Sequence, residues 1–384
     1  MNLDTSKSNI NNKNQFINNL SCVLGILLMF SFNIKALFES GNITMLLLVL
    51  LLLLNVIYYL MEKRIYNITI SDCIVYIFIC YMFIHSIIFN TEINTIRAIS
   101  MSFIPYFLFR YVDFNKDTYE IVKKIINILA YSIMISITIK YLKLNQFTYR
   151  MSLQGSNSVA IGELIGFFCI INILNLKEFQ SSYISRINYI IGIVFCMVIL
   201  GARGAVIAVI FTTFLICLFN SKNKLKIIIS LSLLSIFYYI LFNNNSILIE
   251  KIPSMARFSI EGIINDPSVV GNRTTIGRMQ LFTDSFNIIK SNFVGIGLGR
   301  IYSHNIFLEI WSSLGVIGMS VFIILILNIL YKCKCIFYSN KVLVAIFIFL
   351  LIYRQSSFAI YAHKSLFMIM AIIVTKYQNS KFRS

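Results

Sequence analysis

The chain has 384 residues, of which 58% are hydrophobic and only 12% are charged, and its mean hydropathy is +0.81. Soluble domains carry about 25% charged residues, so a soluble enzyme and a disordered chain are both excluded. The charge is strongly basic, with 33 Lys and Arg against 15 Asp and Glu. The basic residues lie in short islands between long apolar runs, which is typical of membrane-protein loops and not of a nucleic-acid-binding surface.

The polar segment 1–16 precedes the first apolar run and has no small-x-small cleavage site, so we predict a retained cytoplasmic tail. A helix needs about 20 apolar residues to cross the hydrocarbon core. Continuous Leu and Val over 46–54 excludes the alternation of a barrel strand. We therefore predict an all-α polytopic protein with about twelve transmembrane helices. The predicted spans are 17–37, 43–61, 70–89, 95–110, 121–139, 158–175, 185–200, 204–219, 225–242, 305–330, 342–358 and 363–375.

The basic residues of the connecting segments predict the orientation. If the N-terminus is cytoplasmic, the inside segments hold 19 Lys and Arg and the short outside segments hold 8. Cytoplasmic loops are the ones enriched in Lys and Arg, so both termini are expected in the cytoplasm. Residues 1–384 then form a single integral-membrane domain with one long extracytoplasmic loop, 243–304, that contains short helices.

Two polar positions fall where hydrocarbon is expected. Arg203, with Gly201 and Gly204 beside it, lies between two apolar runs almost without a loop. Such an arginine is costly and is commonly paired or functional, although a tight hairpin with a snorkelling arginine is the alternative. Glu163 lies more than one turn into the sixth span, and it is a candidate substrate ligand or a counter-ion for Arg203. Glu309, near the start of the tenth span, is a second candidate carboxylate.

A glycine-rich segment leads into the tenth span. Gly295, Gly297 and Gly299 alternate and are followed by His304 and Asn305. Such glycines permit unusual backbone angles and N–H groups that hold anions, but the spacing is not a dinucleotide fingerprint. A histidine at the membrane edge exchanges protons near neutral pH, so His304 is a candidate catalytic residue. Its alternative role is a helix cap or a headgroup contact.

Other outer-loop residues complete the candidate site. Arg278 lies on an amphipathic loop helix with Arg273 before it, and a headgroup-binding face is the alternative for both. Arg150 opens a polar patch in which Asn157 is a plausible helix cap. Arg300 follows the glycines. His85 and His363 lack a comparable setting and are expected to be structural.

The eight cysteines show no disulfide framework, because six fall inside apolar runs. Cys333-x-Cys335 is at best half of a metal site, so inert thiols are expected. The outer loops hold no Asp-x-Asp pair and no His/Cys cluster, so no metal and no cofactor is implied. Arginine forks bind phosphate oxygens, and a nearby histidine accepts a proton from an attacking hydroxyl. These residues favour group transfer from a lipid-linked phosphate or pyrophosphate at the outer membrane face.

The motifs at 200–206, Gly277-Arg278, 295–299 with His304-Asn305, and Gly315-x-x-Gly318 together resemble the bacterial O-antigen polymerase and O-antigen ligase superfamily. The resemblance implies a metal-independent glycosyltransferase in the cytoplasmic membrane that uses undecaprenyl-pyrophosphate-linked saccharide. It implies that Arg203 and Arg278 hold the pyrophosphate, that His304 is the base or orients the acceptor, and that Asn305 positions it. Ala202 replaces a serine common in the family, and the second arginine is left open among Arg273, Arg278 and Arg300.

The leading hypothesis is a repeat-unit polymerase for O-antigen or capsule, with a flippase and a chain-length regulator as possible partners beside the membrane lipid. A ligase of the same superfamily is the first alternative. A multi-pass transporter or flippase is the alternative from another class. It predicts broken helices in matching positions of two halves and an ionisable site at the midplane.

Overall fold

The protein is described here from a computed structural model that covers residues 2–38, 43–62, 67–144, 158–176, 182–221, 275–355 and 363–381. The structure of these residues is helical almost throughout, as the long apolar runs predict. The helices, in chain order, are α1 Asn2–Met29, α2 Ser31–Phe38, α3 Ile43–Glu62, α4 Ile70–Ile88, α5 Ile93–Phe109, α6 Lys116–Leu144, α7 Ser158–Ile173, α8 Tyr183–Val198, α9 Arg203–Asn220, α10 Thr275–Ser291, α11 Ile306–Ile336, α12 Lys341–Tyr353 and α13 Lys364–Lys381.

Four helices among the described residues are long and apolar enough to cross a membrane, and they are α4, α6, α9 and α11. The pair 15–29 and 31–38 forms a fifth candidate span, bent by 72° at Phe30. Five shorter helices are also apolar. The prediction of a helical integral membrane protein is therefore confirmed. The number of twelve spans stays a prediction, and the span 225–242 lies outside the described residues.

Helix α7 is the centre of the bundle. Nearly all of its side chains are buried, as are those of α12 and most of α13, whereas α3, α6 and α8 expose many large apolar residues. Gly166 on α7 lets α12 approach closely, because a Cβ at this position would lie 2.1 Å from the Phe349 ring. The helices that are apolar on all sides thus form the core, and the exposed apolar faces suit contact with lipid.

Polar side chains join α6, α7 and α8 within the apolar core. Asn172 Nδ2 donates to Asn127 Oδ1 at 2.8 Å, and Asn188 Nδ2 donates to Asn172 Oδ1 at 3.1 Å. Tyr131 completes the chain by donating to Asn188 Oδ1 at 2.5 Å. Amides that find partners in this way hold membrane helices together.

Helix α11 consists of two parts that meet at Gly315, where φ is 68° and ψ is −169°. The rings of Phe307 and Phe322 lie 5.7 Å apart. Fifteen residues of a continuous helix would separate them by about 22 Å. The part 306–314 is therefore folded back over the part 316–336. The predicted span 305–330 is thus observed as two helical parts, and the fold-back brings the residues before Ile306 back toward the bundle.

Contacts between helix termini define two ends of the bundle. At one end, Arg110 at the end of α5 pairs with Asp72 at the start of α4, and Thr375 near the end of α13 donates to the Arg110 carbonyl oxygen. We call this the Arg110 end. At the other end, the N–H of Ile306 donates to the carbonyl oxygen of Arg354, which follows α12. We call this the His304 end.

Candidate functional site

Most of the predicted site residues that the structure describes gather at the His304 end. Tyr353 OH donates to the Val159 carbonyl oxygen at 2.7 Å, which joins the end of α12 to the start of α7. The start of α9 lies beside α7 as well, because a Cβ on Gly162 would lie 3.4 Å from the Ala202 Cβ. Arg203, Glu163 and His304, which the sequence predicts on one side of the membrane, thus lie at the same end of the bundle.

The side chains of four predicted site residues lie outside the described part of the structure. Arg150, Asn157 and Arg273 lie outside the described residues. Arg278 lies in α10, where its backbone is described and its side chain is not. The predicted loop helix is observed, and it begins at Thr275.

The glycine-rich segment forms hydrogen bonds to the backbone at the break in α11. Gly295, Gly297 and Gly299 all have positive φ, between 78° and 100°. The N–H groups of Ile296 and Gly297 donate to the carbonyl oxygens of Ser312 and Ser313 at 3.0 Å. These carbonyls have lost their helical partners because the chain turns at Gly315. The N–H of Gly297, which the sequence predicts as an anion donor, therefore already donates to the Ser313 carbonyl oxygen.

Gly299 and Arg300 lie at the edge of the same segment. A Cβ on Gly299 would lie 3.0 Å from Thr95 near the start of α5. Arg300 is exposed, and its Nη2 donates to the Phe89 carbonyl oxygen at 2.8 Å while the guanidinium lies 6.0 Å from the Phe89 ring centre. The ring of His85 also stacks on that of Phe89, with 4.3 Å between the two ring centres.

His85 also anchors the glycine-rich segment, because its Nε2 lies 3.0 Å from the Val294 carbonyl oxygen. One turn earlier on α4, Tyr81 OH donates to the Leu314 carbonyl oxygen at 2.8 Å. Both side chains thus hold the backbone around the break. The sequence predicts a structural role for His85 but not this contact, because its partner lies 209 positions further along the chain.

His304 occupies the left-handed region with φ of 56°, which is rare for a residue other than glycine. Its ring lies 4.1 Å from that of Tyr302, and the side chain is half-buried. The cap of α11 is the next residue, because Asn305 Oδ1 accepts from the N–H groups of Phe307 and Leu308 at 3.0 and 3.1 Å. The alternative of His304 as the helix cap is therefore wrong, and the cap fixes the backbone immediately after it.

Arg203 is the first residue of α9 and is half-buried. Ala202 stands at the N-cap position and forms no side-chain cap. A serine there, as in the family pattern, would place a hydroxyl at the cap position. With alanine at this position, the helix terminus that carries Arg203 has no side-chain cap.

Glu163 is buried and pairs with Arg354, whose Nη2 lies 2.8 Å from Glu163 Oε1. The observed counter-ion of Glu163 is therefore Arg354, 191 positions further along the chain, in place of the expected Arg203. Ser365 accepts from Arg354 Nη2 at 2.6 Å and donates to Glu163 Oε1 at 2.5 Å. Sequence reasoning missed Arg354. It could have been found as a charged residue at the end of the apolar run of α12, because the isolated carboxylate of Glu163 requires a cation.

Several helices begin at the His304 end, among them α5, α7, α9, α11 and α13. Each helix N-terminus carries about half a positive charge, which favours an anion. Glu309 in the first turn of α11 is buried, and its N–H donates to the Asn305 carbonyl oxygen. Helices α4, α8 and α12 end here and carry the opposite partial charge, so the positive charge of this end comes chiefly from Arg203 and Arg300.

The two cysteines of the Cys-x-Cys pair face different surroundings near the Arg110 end, where Cys333 is buried and Cys335 is exposed. Side chains two residues apart on a helix do not share a face. Within the described ranges, no group of three or more His, Cys, Asp or Glu is arranged to hold a metal ion.

Comparison with known proteins adds one family match. Residues 188–323 match the family model described as O-antigen ligase. The matched stretch begins in α8, ends in α11, and contains both Arg203 and His304. No curated protein matches the chain. Residues 188–323 thus carry the match to the O-antigen ligase family, and the resemblance to the O-antigen polymerase and ligase superfamily is confirmed.

Proposed function

We propose that the protein is a polysaccharide repeat-unit polymerase of O-antigen or capsule. It transfers a growing glycan from undecaprenyl pyrophosphate to a lipid-linked repeat unit at the outer face of the bacterial cytoplasmic membrane. The His304 end then faces outward, and both termini lie in the cytoplasm. A flippase delivers the lipid-linked unit, and a chain-length regulator acts with the enzyme.

One observation carries this proposal: Arg203 and His304 lie at the same end of the bundle, where α9 and α11 begin. The leaving group of the reaction is a diphosphate, so its negative charge grows as the glycosidic bond breaks. Donors and dipoles that are fixed in advance stabilise such charge without reorganisation. The N-terminus of α9, which carries Arg203, supports an anionic leaving group at this end.

In the proposed reaction, a sugar hydroxyl of the acceptor attacks the anomeric carbon of the donor glycan. The bond from that carbon to the pyrophosphate oxygen breaks, and undecaprenyl pyrophosphate leaves with the bonding electrons. His304 accepts the hydroxyl proton or orients the hydroxyl. Arg203 binds the leaving diphosphate through its planar guanidinium, which stays charged in a poor solvent. We assign no step to a metal ion.

The second arginine of the diphosphate site is proposed to be Arg278, with Arg273 as the neighbouring candidate. Arg300 Nη2 donates a hydrogen bond to the Phe89 carbonyl oxygen. That contact holds Arg300 on the corner between α4 and α5, which makes it the weaker candidate. Asn305 acts in this scheme by holding the backbone after His304, through its cap of α11.

Ligation is the second candidate reaction, and the description of the matched family favours it. A ligase would move the finished polymer from the same lipid pyrophosphate onto a lipid-core or cell-wall acceptor. Transport is less well supported. The break at Gly315 has the form that transporters use, but its carbonyl groups are paired with the glycine-rich segment and Tyr81.

The test is a pair of reactions with purified protein in lipid. One tube holds only the lipid-linked repeat unit, and the other also holds a separate lipid-core acceptor. A ladder of lengthening glycans in the first tube supports the polymerase, whereas a product confined to the second identifies a ligase. The matched controls are Arg203→Ala and His304→Ala, which should give no product in either tube. Normal ladders from either variant would refute the assigned site, and wild-type protein that forms no new bond in either tube would contradict glycosyl transfer.

A further inference from the structure

Arg354 is a fully buried cation, with 0% of its surface exposed, at the end of α12. Its side chain pairs with Glu163 of α7, and both groups share Ser365 of α13. The cavity beside Glu163 and Ser365 has about 20 Å³, which fits one water molecule but not a sugar. Arg354 therefore contacts neither a glycan nor a diphosphate in this arrangement.

The backbone of Arg354 leads directly to the candidate base. Its carbonyl oxygen accepts the N–H of Ile306 at 3.3 Å. This bond joins a carbonyl at a helix C-terminus to an N–H at a helix N-terminus, two groups that have no partner within their own helices. Ile306 lies two residues after His304, whose left-handed backbone must be held by its surroundings. The position of the His304 backbone thus depends on where residue 354 lies.

We infer that Glu163 and Arg354 are positioning residues for the transfer reaction: their buried ion pair fixes the end of α12, and through the Arg354 carbonyl it holds His304 in place. This inference rests on the proposed function. It adds residues that touch neither substrate but determine how well the base is oriented. Misplacing a reacting group by about 1 Å is enough to lower a rate about 10²-fold.

The chain offers a matched control at the opposite end of the bundle. Arg110 and Asp72 form a second buried ion pair at 2.6 Å, with side chains 0% and 1% exposed. Thr375 of this network and Ser365 of the first are ten residues apart on α13, about 15 Å. Breaking either pair leaves a buried charge without its partner and destabilises the fold. Of these two described pairs, Glu163–Arg354 is the one whose backbone is bonded to the segment that carries His304, through Ile306.

The experiment compares Glu163→Gln and Arg354→Lys with Asp72→Asn and Arg110→Lys in the full chain, reconstituted in lipid with a lipid-linked repeat unit. For each variant, the unfolding temperature, kcat and KM are measured. We expect all four to lower the unfolding temperature. The first two should also lower kcat at least 10-fold with KM within about twofold, because the substrate is still bound but poorly aligned. The two control variants should keep kcat within about twofold at a temperature where they are folded.

Equal kcat losses in both pairs, tracking the unfolding temperature, would overturn the inference and leave a structural role only. Ser365→Ala serves where Arg354→Lys does not fold, and it should lower kcat with KM unchanged. His304→Ala separates the two claims. Inactive His304→Ala beside normal kcat in Glu163→Gln refutes the positioning role alone. Fully active His304→Ala refutes the proposed function, and the positioning role with it.

Discussion

Gly295 and Gly315 meet backbone to backbone, so that a Cβ added to Gly295 would lie 2.5 Å from the amide nitrogen of Gly315. A Cβ added to Gly315 would lie 2.3 Å from the carbonyl carbon of Val294. Both glycines have positive φ. The glycine-rich segment and the break in α11 are therefore one structural unit, and the position of His304 follows from it.

Substituting Gly315→Ala should unfold or strongly destabilise this unit. At φ 68° and ψ −169°, Gly315 lies in a backbone region essentially restricted to glycine, which costs other residues about 1–3 kcal/mol, and overpacking adds about 1–3 kcal/mol. Gly299→Ala is the matched control, because it shares the positive φ but meets only the Thr95 side chain, at 3.0 Å. Thermal unfolding of purified protein in detergent measures both. A Gly315→Ala protein as stable as Gly299→Ala would contradict the described packing.

Substitutions of Asn305 should separate a cap from a substrate contact. Asn305→Asp keeps an acceptor oxygen for the N–H groups of Phe307 and Leu308, whereas Asn305→Ala removes it. Loss of a cap costs about 1 kcal/mol of stability. We expect glycan synthesis to survive in Asn305→Asp and to fall in Asn305→Ala, as seen in ladder assays. Equal loss of activity in both variants would indicate that the amide nitrogen binds substrate.

Ala202→Ser should stabilise the protein by about 1 kcal/mol, because the hydroxyl can cap α9. Ala205→Ser is the control; this residue is buried inside the same helix, away from the cap position. A rise in the unfolding temperature for Ala202→Ser, with none for Ala205→Ser, is the expected result. If neither serine raises the unfolding temperature, the missing cap does not lower the stability of the protein.

Arg203→Lys should fail although it keeps the charge. A lysine ammonium lacks the planar fork that binds two phosphate oxygens at once. Removing one such preorganised donor lowers kcat about 10²–10³-fold in other enzymes, and we expect a loss in this range. Initial rates with the lipid-linked repeat unit give the value. An Arg203→Lys enzyme within twofold of the wild type would show that charge alone suffices.

The sequence was sufficient to predict the helical membrane architecture, because runs of about 20 apolar residues have few other solutions. It also indicated Arg203 and His304, since polar groups beside long apolar runs are conspicuous. The partner of Glu163 could not be predicted, because the choice between Arg203 and Arg354 depends on which helix ends pack together.

The fold-back of α11 was equally hidden. An apolar run interrupted by Gly315 and Gly318 fits a straight span as well as a broken one. The turn depends on the N–H groups of Ile296 and Gly297, which replace the lost helical bonds from a segment earlier in the chain. For the same reason, the glycine pattern alone predicts N–H groups free to bind an anion, whereas those of Ile296 and Gly297 already donate to carbonyl oxygens of α11.

The gathering of Arg203 and His304 at one end gives the molecule a direction. In vesicles into which the protein inserts at random, about half of the copies would present this end to the lumen and stay silent toward substrate added outside. Permeabilising such vesicles should therefore roughly double the observed rate, and a fixed insertion direction would abolish that gain.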